Sequence, residues 1–590
     1  MYPFTEQAND ASHPRFVLRS STSPHDWEWC AKLKYGKHHA RYKELSSLAS
    51  QKSVRGRRSK AGTKSKASSK VPRITYATLT ITPKDDEAYD RAVATVRNKL
   101  GSRFTMYING EPWVSTGEEI SHPSPIDTRI IASYFPKGTR DDVKSAVSAA
   151  RDAFPKWSGM PYKDRIRILR KAADLIIERR YELSAWMAFE VGKNRAESLA
   201  EVNEAAELIR YYCDQMEVNK GFLKPMEPPG PKQETSSILR PYGVWAVIAP
   251  WNFPIALSTG MTAGALVAGN VVVFKPSSES PVLGHELSSA LVDAGIPRGA
   301  FNFVTGPGGT VGAELQENPG VDGLVFTGSK EVGMNVYHGF AQNYPKPVIT
   351  EMGGKNPAIV TASADLDQAA EGVMRAAFGF GGQKCSACSR VYVDNIVKEK
   401  FLELLKGYTE KVVKVGDPTR KETFLGSVIS KAAVETYLRA ADEAKRDGGR
   451  FVYGGNAINS GEFEHGYFVE PAIVDRLPVT HRLFKDELFV PFLVVAGVES
   501  FEEAMKLAND SEYGLCAGIY TKSQEEMQTF FDHIEAGTTY LNRRAGATTG
   551  AWPGVNSFGG WKGSGSTGKS GLGPYYVQQF MREQSRWIVK

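Results

Sequence analysis

The chain has few of the features that mark secreted or membrane proteins. Only five of its 590 residues are cysteine, and such a small, odd number argues against a disulfide framework and for reduced thiols. No apolar run approaches the roughly 20 residues needed to cross a bilayer. The first residues, MYPFTE, lack the basic start and apolar core of a signal peptide. We therefore expect a cytoplasmic protein with no membrane partner.

Acidic residues are absent from one basic stretch near the N-terminus. Residues 52–73 carry nine lysines and arginines and no aspartate or glutamate, and the whole chain has a formal net charge of +7. Because the remainder is near neutral, we do not expect the protein to be a nucleic-acid binder. Residues 1–72 are predicted to form a disordered tail. This tail is either an arm for nucleic acid or anionic surfaces, or a solvated extension from an early start codon; the composition favours the second.

Further along, short apolar segments alternate with helical ones. Strands are predicted over residues 243–249, 270–274, 301–304, 323–326 and 347–351. Continuous apolar strands separated by helices indicate a parallel sheet covered on both faces, with ligands bound beyond the carboxyl ends of its strands. Long amphipathic helices are predicted over residues 141–157, 163–191 and 196–216. A hairpin is predicted around Asn109-Gly110, an extended proline-rich excursion over 221–242, and a final strand over 584–589.

One cysteine is set in a sequence that favours reactivity. Cys385 follows a double glycine in FGFGGQKCSACSR, residues 378–390. A cysteine nucleophile needs a partly exposed thiol whose thiolate is favoured. Cys385 and Cys388 also form Cys-x-x-Cys, which alone suits a redox pair or half of a zinc site. No second pair and no suitable histidine cluster occurs, so no metal is expected, and Cys388 is predicted to be a packing residue.

Two other side chains suit chemistry at a thiol. Glu351 ends an apolar segment beside glycines, where its carboxylate can reach a cleft as a general base. Asn252 lies between two prolines in PWNFP, residues 250–254, and its amide is a rigid donor for an oxyanion. The plainer alternatives are a surface glutamate and a turn-capping asparagine.

Dinucleotide binding is indicated, although the standard fingerprint is absent. The glycines of residues 306–312 miss G-x-G-x-x-G by one position. Gly328 and Ser329 open a predicted helix and offer amides and a hydroxyl to a phosphate. Lys275, at a predicted strand end, can bind ribose hydroxyls or a phosphate. The order of these features along one sheet favours a nucleotide site.

Together these segments resemble the aldehyde dehydrogenase superfamily over roughly residues 75–590. The matching motifs are PWNFP (250–254), FKPS (274–277), FTGS (326–329), EMGGKNP (351–357), GQKC (382–385), ELF (487–489) and SFGGWKGSG (557–565). The resemblance implies an α/β fold with a Rossmann-like NAD(P)-binding domain over 73–352 and an α/β catalytic domain over 353–541. It also implies a homo-oligomer, with an arm at 221–242 that extends a neighbour's sheet. Residues 542–590 would supply a substrate-anchoring loop and an oligomerisation strand.

The resemblance assigns catalytic and cofactor roles. Cys385 corresponds to the nucleophile, Glu351 to the base that activates the deacylating water, and Asn252 to the oxyanion donor. The implied cofactor contacts are Lys275, Gly328, Ser329, Glu487, Phe489 and Trp251. The expected cofactor is NAD. NADP stays open because Ser278 stands where many NAD-preferring members have a glutamate, although Glu279 is its neighbour.

A finer resemblance points to a substrate. The cysteine segment, EVGKNRAE (190–197) and the C-terminal residues 542–571 are similar to the 1-pyrroline-5-carboxylate dehydrogenase family. This similarity implies oxidation of L-glutamate γ-semialdehyde to L-glutamate in proline degradation. Another semialdehyde, such as succinic semialdehyde, is the alternative substrate.

The same similarity implies substrate contacts. Ser386, Gly571 and Leu572 occupy positions that hold the amino-acid end of the substrate, and Leu572 replaces a common alanine. Glu201 matches a glutamate near the substrate ammonium. A hydroxyl and loop amides suit a carboxylate, and a carboxylate suits an ammonium.

Overall fold

The computed structural model describes Tyr76, residues 80–544 and residues 551–590. The tail predicted over residues 1–72 lies outside this part of the chain. The described helices are α1 Pro83–Lys99, α2 Arg140–Gly159, α3 Tyr162–Glu178, α4 Arg180–Val191, α5 Arg195–Val218, α6 Ala256–Val267, α7 Pro281–Ala294, α8 Ala313–Glu317, α9 Lys330–Phe340, α10 Leu366–Phe378, α11 Lys398–Val412, α12 Lys431–Arg446, α13 Phe501–Asn509 and α14 Gln524–His533.

The strands of the same residues are short and numerous. They are β1 Ser102–Arg103, β2 Met106–Ile108, β3 Glu111–Trp113, β4 Glu119–Ser124, β5 Asp127–Pro136, β6 Leu223–Met226, β7 Gln233–Pro241, β8 Val244–Ile248, β9 Val271–Lys275, β10 Phe301–Phe303, β11 Gly323–Thr327, β12 Val348–Glu351, β13 Asn356–Val360, β14 Cys388–Asp394, β15 Arg450–Tyr453, β16 Ala457–Ile458, β17 Phe468–Val469, β18 Ala472–Asp475, β19 Phe492–Val498, β20 Tyr513–Gly514, β21 Cys516–Tyr520, β22 Thr538–Leu541, β23 Trp561–Lys562 and β24 Met581–Val589.

All five strands predicted between residues 243 and 351 form one sheet. Its order is β12-β11-β8-β9-β10-β2-β3, and β12 to β10 run parallel. The antiparallel hairpin β2–β3 extends this sheet. Its turn residues Asn109 and Gly110 have φ values of 56° and 75°, as a hairpin turn of this kind requires. The predicted parallel sheet and the hairpin are therefore confirmed.

A second seven-stranded sheet, in the order β15-β18-β19-β14-β13-β21-β22, follows in the chain. Only β15 runs antiparallel to its neighbour. Along β14, Val391 and Val393 pack into one apolar cluster and Tyr392 into another. Because successive side chains of a strand point to opposite faces, both faces of this sheet are covered.

The excursion predicted at residues 221–242 contains β6 and β7. These strands form an antiparallel sheet with the C-terminal strand in the order β24-β7-β6. The predicted final strand is confirmed but begins at Met581 rather than residue 584. Trp587, Ile588 and Val589 of β24 are 64%, 51% and 74% exposed.

Two local details differ from the sequence prediction. The helical stretch predicted over 163–191 is divided into α3 and α4, because Arg179 leaves the helical region with ψ of 7°. Strands β4 and β5 were not predicted; β4 contains Pro123, and the pairing shifts register there, which weakens the sequence signal for a strand. Among the described residues, no helix is both long and apolar enough to span a membrane.

The first sheet places several predicted site residues at one edge. Asn252 follows β8, Lys275 ends β9, Ser329 follows β11 and Glu351 ends β12. These strands are parallel neighbours, so their carboxyl ends meet on the same side of the sheet. The fold therefore gathers these side chains at the position where α/β sheets bind ligands.

Candidate active site

One cavity brings together residues from distant parts of the chain. It is lined by Cys385, Ser386, Glu351, Gly571 and Leu572, which the sequence analysis had singled out. Much of the remaining wall is apolar and comes from α5, α6 and the C-terminal segment; it includes Leu208, Tyr212, Phe253, Leu257, Met261, Phe558 and Tyr576. A mostly apolar cavity with a few convergent polar groups is typical of a substrate site.

The loop before Cys385 is tightly constrained. Gly381 and Gly382 have φ values of 63° and 67°, and a Cβ on Gly382 would lie 2.5 Å from the Val490 carbonyl oxygen. Glycine is required there to bring the half-buried Cys385 into the cavity. Burial, with Glu487 and Glu351 nearby, raises the pKa of the Cys385 thiol. A base must therefore take its proton before the sulfur can attack a substrate.

Glu351, the predicted base for the deacylating water, lines the same cavity as Cys385. Burial raises the pKa of its carboxyl well above the usual value, opposed by a hydrogen bond from the Gly560 backbone. Its Oε2 is buried and has no hydrogen-bond partner within the described chain. A carboxylate with a raised pKa and a free oxygen in a cavity suits proton transfer.

The C-terminal segment holds the backbone beside Glu351. The Met352 amide donates to the Ser564 carbonyl at 2.9 Å. The Ser564 hydroxyl donates to the Gly353 carbonyl at 2.7 Å. Glu351 is thus positioned by residues more than two hundred positions further along the chain.

Asn252 is fixed against the cysteine loop. Its Nδ2 donates to the Gln383 carbonyl at 3.1 Å, and the side-chain amide has a second hydrogen for another acceptor. The backbone carbonyl of Asn252 accepts from Lys193 Nζ. Asn252 is buried, so its orientation is well determined for an oxyanion donor.

Glu201 does not line the cavity. Its Oε1 accepts from the Ile255 and Ala256 amides at 3.0 and 3.2 Å, and its Oε2 pairs with Lys193. Both side chains of that ion pair are fully buried. The expected contact of Glu201 with a substrate ammonium is therefore corrected, because its carboxylate is already paired within the protein.

On α5 the glutamate that lines the cavity is Glu204, one helical turn after Glu201. Burial raises the pKa of its carboxyl to about 7, while a hydrogen bond from Tyr76 lowers it. Sequence reasoning missed Glu204. A signal was available in the sequence: Glu204, Leu208 and Tyr212 recur at four-residue spacing and so share one face of the helix. All three line the cavity.

Gly571 and Leu572 of the glycine-rich C-terminal loop line the cavity, but the Leu572 amide already has a partner within the protein. Leu572 has φ of 61°, which is costly for a leucine and holds the loop in a sharp turn. Its amide donates to the Tyr212 hydroxyl at 3.2 Å. A substrate carboxylate would have to replace Tyr212 at this amide, so Leu572 is not an open anion donor in this structure.

A second recess lies on the other side of the cysteine loop. Lys384, Cys388, Glu487 and Phe489 are among its lining residues. Glu487 accepts from the Gly354 amide at 2.8 Å, and burial raises the pKa of its carboxyl to about 7.

Aromatic contacts connect this recess to the PWNFP turn. Phe489 has φ of 59°, and its ring meets Trp251 edge to face at 5.6 Å. Trp251 in turn contacts Phe380 of the cysteine loop at 6.2 Å. The expected cofactor contacts Phe489 and Trp251 therefore lie together near the cysteine loop.

Lys275, Gly328 and Ser329 occupy positions that suit the rest of a dinucleotide. Lys275 is buried, which lowers the pKa of its ammonium to about 8, and its Nζ donates to the Pro276 carbonyl at 2.9 Å. Ser329 caps α9 by accepting from the Val332 amide, and a Cβ on Gly328 would lie 2.5 Å from the Phe326 ring. A cation at a strand end and a helix N-terminus fit ribose and phosphate groups.

Comparison with known proteins agrees with this geometry. The model described as "Aldehyde dehydrogenase family" matches residues 113–585. The chain belongs to the aldehyde dehydrogenase family. Relatives of this aldehyde dehydrogenase include 1-pyrroline-5-carboxylate dehydrogenase 1 of Halalkalibacterium halodurans and 1-pyrroline-5-carboxylate dehydrogenase 2 of Bacillus subtilis. Each is 35% identical over 505 residues, which cover 85% of this chain and 95% of the relative.

Solved structures show the same fold. A 1-pyrroline-5-carboxylate dehydrogenase from Thermus with bound NAD aligns with a TM-score of 0.82 and 35% identity, covering 88% of this chain and 99% of that one. Betaine aldehyde dehydrogenase from Staphylococcus aureus, in complex with NAD+, aligns with a TM-score of 0.79 and 28% identity, covering 85% and 97%. The α/β aldehyde dehydrogenase fold expected from the sequence is confirmed. Because both structures share it, the fold alone does not determine the substrate.

Replacing Cys385 with alanine should abolish aldehyde oxidation by this aldehyde dehydrogenase, because no other thiol lines the described cavity. Cys213→Ala is the matched control, since Cys213 is buried in an apolar cluster and lines neither recess; it should keep most of the activity. Cofactor reduction in the presence of aldehyde measures both variants. Full activity in Cys385→Ala would contradict the assigned nucleophile.

Glu201→Gln should destabilise the protein by about 3–5 kcal/mol, because it leaves Lys193 as an uncompensated buried charge. Glu207→Gln on the same helix is the control. Its partner Arg210 is half-buried, so the loss there should stay below about 1 kcal/mol. Urea unfolding followed by fluorescence compares the two, and equal losses would argue against a structural role for the Lys193–Glu201 pair.

Proposed function

We propose that this aldehyde dehydrogenase oxidises L-glutamate γ-semialdehyde, the open form of 1-pyrroline-5-carboxylate, to L-glutamate in proline degradation. The observation that carries the proposal is the cavity in which Cys385 and Glu351 lie together with Ser386, Gly571 and Glu204. A thiol and a base supply aldehyde chemistry, and the other three supply hydroxyl, amide and carboxylate groups for an amino-acid end. The relatives named as 1-pyrroline-5-carboxylate dehydrogenases support this substrate.

The first half of the reaction takes place at Cys385. Its sulfur attacks the aldehyde carbon while the thiol proton passes to Glu351. The oxygen of the resulting thiohemiacetal becomes an oxyanion that accepts a hydrogen bond from Asn252 Nδ2. A bound nicotinamide dinucleotide supplies the acceptor for the hydride that leaves the same carbon. The product on Cys385 is a thioester.

The second half of the reaction releases the acid. Glu351 releases the thiol proton to solvent and then takes a proton from water, while the water oxygen attacks the thioester carbon. The carbon–sulfur bond breaks, the new carboxyl group leaves, and Cys385 is regenerated. The free, buried Oε2 of Glu351 is the atom suited to hold this water.

Glu204 gives the proposal its pH dependence. It can attract an ammonium only when ionised, and burial raises the pKa of its carboxyl to about 7. Affinity for an amino-acid aldehyde should therefore be present above about pH 7 and fall as the pH drops below it. Propanal has no ammonium and should not show this dependence.

We propose NAD as the cofactor, by analogy with the Thermus protein and its bound NAD. NADP is the second candidate, because Ser278 is exposed and carries no charge that would repel a 2′-phosphate. Its hydroxyl lies 3.5 Å from the Gly306 carbonyl oxygen. Glu279 beside it favours NAD.

A cytoplasmic location is also proposed. Cys213, Cys385, Cys388 and Cys516 are all free thiols. Reduced cysteines are the usual state of proteins in the cytoplasm.

Wild-type protein should reduce NAD with 1-pyrroline-5-carboxylate at a kcat/KM at least about tenfold higher than with propanal or succinic semialdehyde. This factor is the effect expected of one charge-assisted hydrogen bond between Glu204 and the substrate ammonium. Initial rates with NAD and with NADP measure substrate and cofactor preference together. Glu204→Gln should remove most of this preference by raising KM for the amino-acid aldehyde. Comparable wild-type rates on succinic semialdehyde would instead favour the alternative substrate.

We propose that the protein is a homo-oligomer that associates through the sheet β24-β7-β6, here called the arm sheet. Trp587 and Val589 of β24 are strongly exposed, and an apolar strand on a projecting sheet favours association with another chain. We expect this sheet to bind a second copy of the protein.

The double substitution Trp587→Asp and Val589→Asp should shift the protein toward monomer in light scattering. Val114→Asp is the control, because Val114 is 84% exposed but lies outside the arm. An unchanged mass for the double variant, or an equal shift for Val114→Asp, would contradict this interface.

A further inference from the structure

Tyr76 lines the substrate cavity although it lies outside the segment matched by the family model. Its ring is part of the cavity wall together with Glu204 and Phe253, whereas the family match covers residues 113–585. The cavity of this chain therefore contains a side chain that the family match does not account for. Its contacts indicate what that side chain does.

The hydroxyl of Tyr76 meets a charged partner. It donates to Glu204 Oε2 at 2.6 Å, a short distance that suits a hydrogen bond to a carboxylate. One carboxylate oxygen is thereby held, which restricts rotation of the group. A carboxylate fixed in this way is better placed to receive an ammonium with its other oxygen.

The ring of Tyr76 is held by two other aromatic residues. It meets Phe253 edge to face at 6.4 Å and Trp552 at 5.9 Å. Phe253 belongs to the PWNFP turn, and Trp552 belongs to the C-terminal segment. Tyr76 therefore closes the wall between these two parts of the chain and occupies space that a bulkier aldehyde would need.

The charge state of Glu204 depends on several neighbours. Burial and Glu201 raise the pKa of its carboxyl, whereas Tyr76, Lys193 and Lys384 lower it. Loss of the Tyr76 hydroxyl should raise this pKa further, because the hydrogen bond stabilises the ionised form. Less of the carboxylate would then be charged near neutral pH.

We propose that Tyr76 is a specificity-determining residue of the cavity: its hydroxyl holds the Glu204 carboxylate for the ammonium of an amino-acid aldehyde, and its ring limits the width of the aldehyde accepted. This inference rests on the proposed function, since it assumes a substrate with an ammonium group. A merely structural Tyr76 would instead only pack Phe253 against Trp552. The two roles differ in kinetics.

The test uses Tyr76→Phe and Tyr76→Ala in the full-length chain. Tyr89→Phe is the matched control, because Tyr89 is fully buried and its hydroxyl has no hydrogen-bond partner within the described chain. Steady-state kinetics are measured with 1-pyrroline-5-carboxylate, propanal and benzaldehyde between pH 6.5 and 8.5. This range includes the Glu204 pKa of about 7.

Tyr76→Phe should raise KM for the amino-acid aldehyde about three- to tenfold at pH 7, the effect of one lost hydrogen bond. Its kcat, and its KM for propanal, should stay within about twofold of wild type. The rise in KM for the amino-acid aldehyde, relative to wild type, should become smaller toward pH 8.5 as Glu204 ionises. Tyr76→Ala should add a gain of about threefold or more in kcat/KM for benzaldehyde, from the space that the ring vacates. Tyr89→Phe should change none of these values.

An equal rise in KM for 1-pyrroline-5-carboxylate and for propanal would assign Tyr76 a structural role only. The same change in Tyr89→Phe would have the same meaning. Wild-type discrimination retained in both Tyr76 variants would overturn its role in specificity while leaving the proposed function intact. A wild-type enzyme with no preference for 1-pyrroline-5-carboxylate over propanal would overturn the proposed function itself.

Discussion

The buried ion pair between Lys193 and Glu201 is the interaction on which the active site depends. Burying two opposite charges is favourable only when hydrogen bonds satisfy the remaining atoms, and here the partners are parts of the site. Glu201 accepts from the first amides of α6. Lys193 binds the Asn252 carbonyl and lies over the Phe253 and Phe380 rings, 4.1 and 4.4 Å from their centroids. One pair thus joins α5, Asn252 and the cysteine loop.

The sequence was informative where local pattern and tertiary position coincide. Buried parallel strands read as continuous apolar runs, so the strands of the first sheet were predictable, and with them the edge where Asn252, Lys275 and Glu351 would meet. Cys385 was predictable because a double glycine before a cysteine indicates close backbone approach, which Gly382 makes against Val490. These features depend on residues near one another in the chain.

Other features depend on distances that no local pattern contains. Glu201 and Glu204 lie one turn apart on α5, and only the position of Lys193 decides which of them is internal and which lines the cavity. The Leu572 amide is directed to Tyr212, 360 positions away in sequence. Tyr76 was not predicted for a similar reason: its partner Glu204 is 128 positions away, and it lies four residues beyond the tail predicted over residues 1–72.

The hydrogen bonds between the backbone beside Glu351 and Ser564 have a consequence for biosynthesis. A nascent chain whose first sheet and Cys385 have emerged from the ribosome still lacks the segment that holds the backbone beside Glu351 and completes the cavity wall. Completion of the cavity therefore has to wait for a segment that is made more than two hundred residues after Glu351.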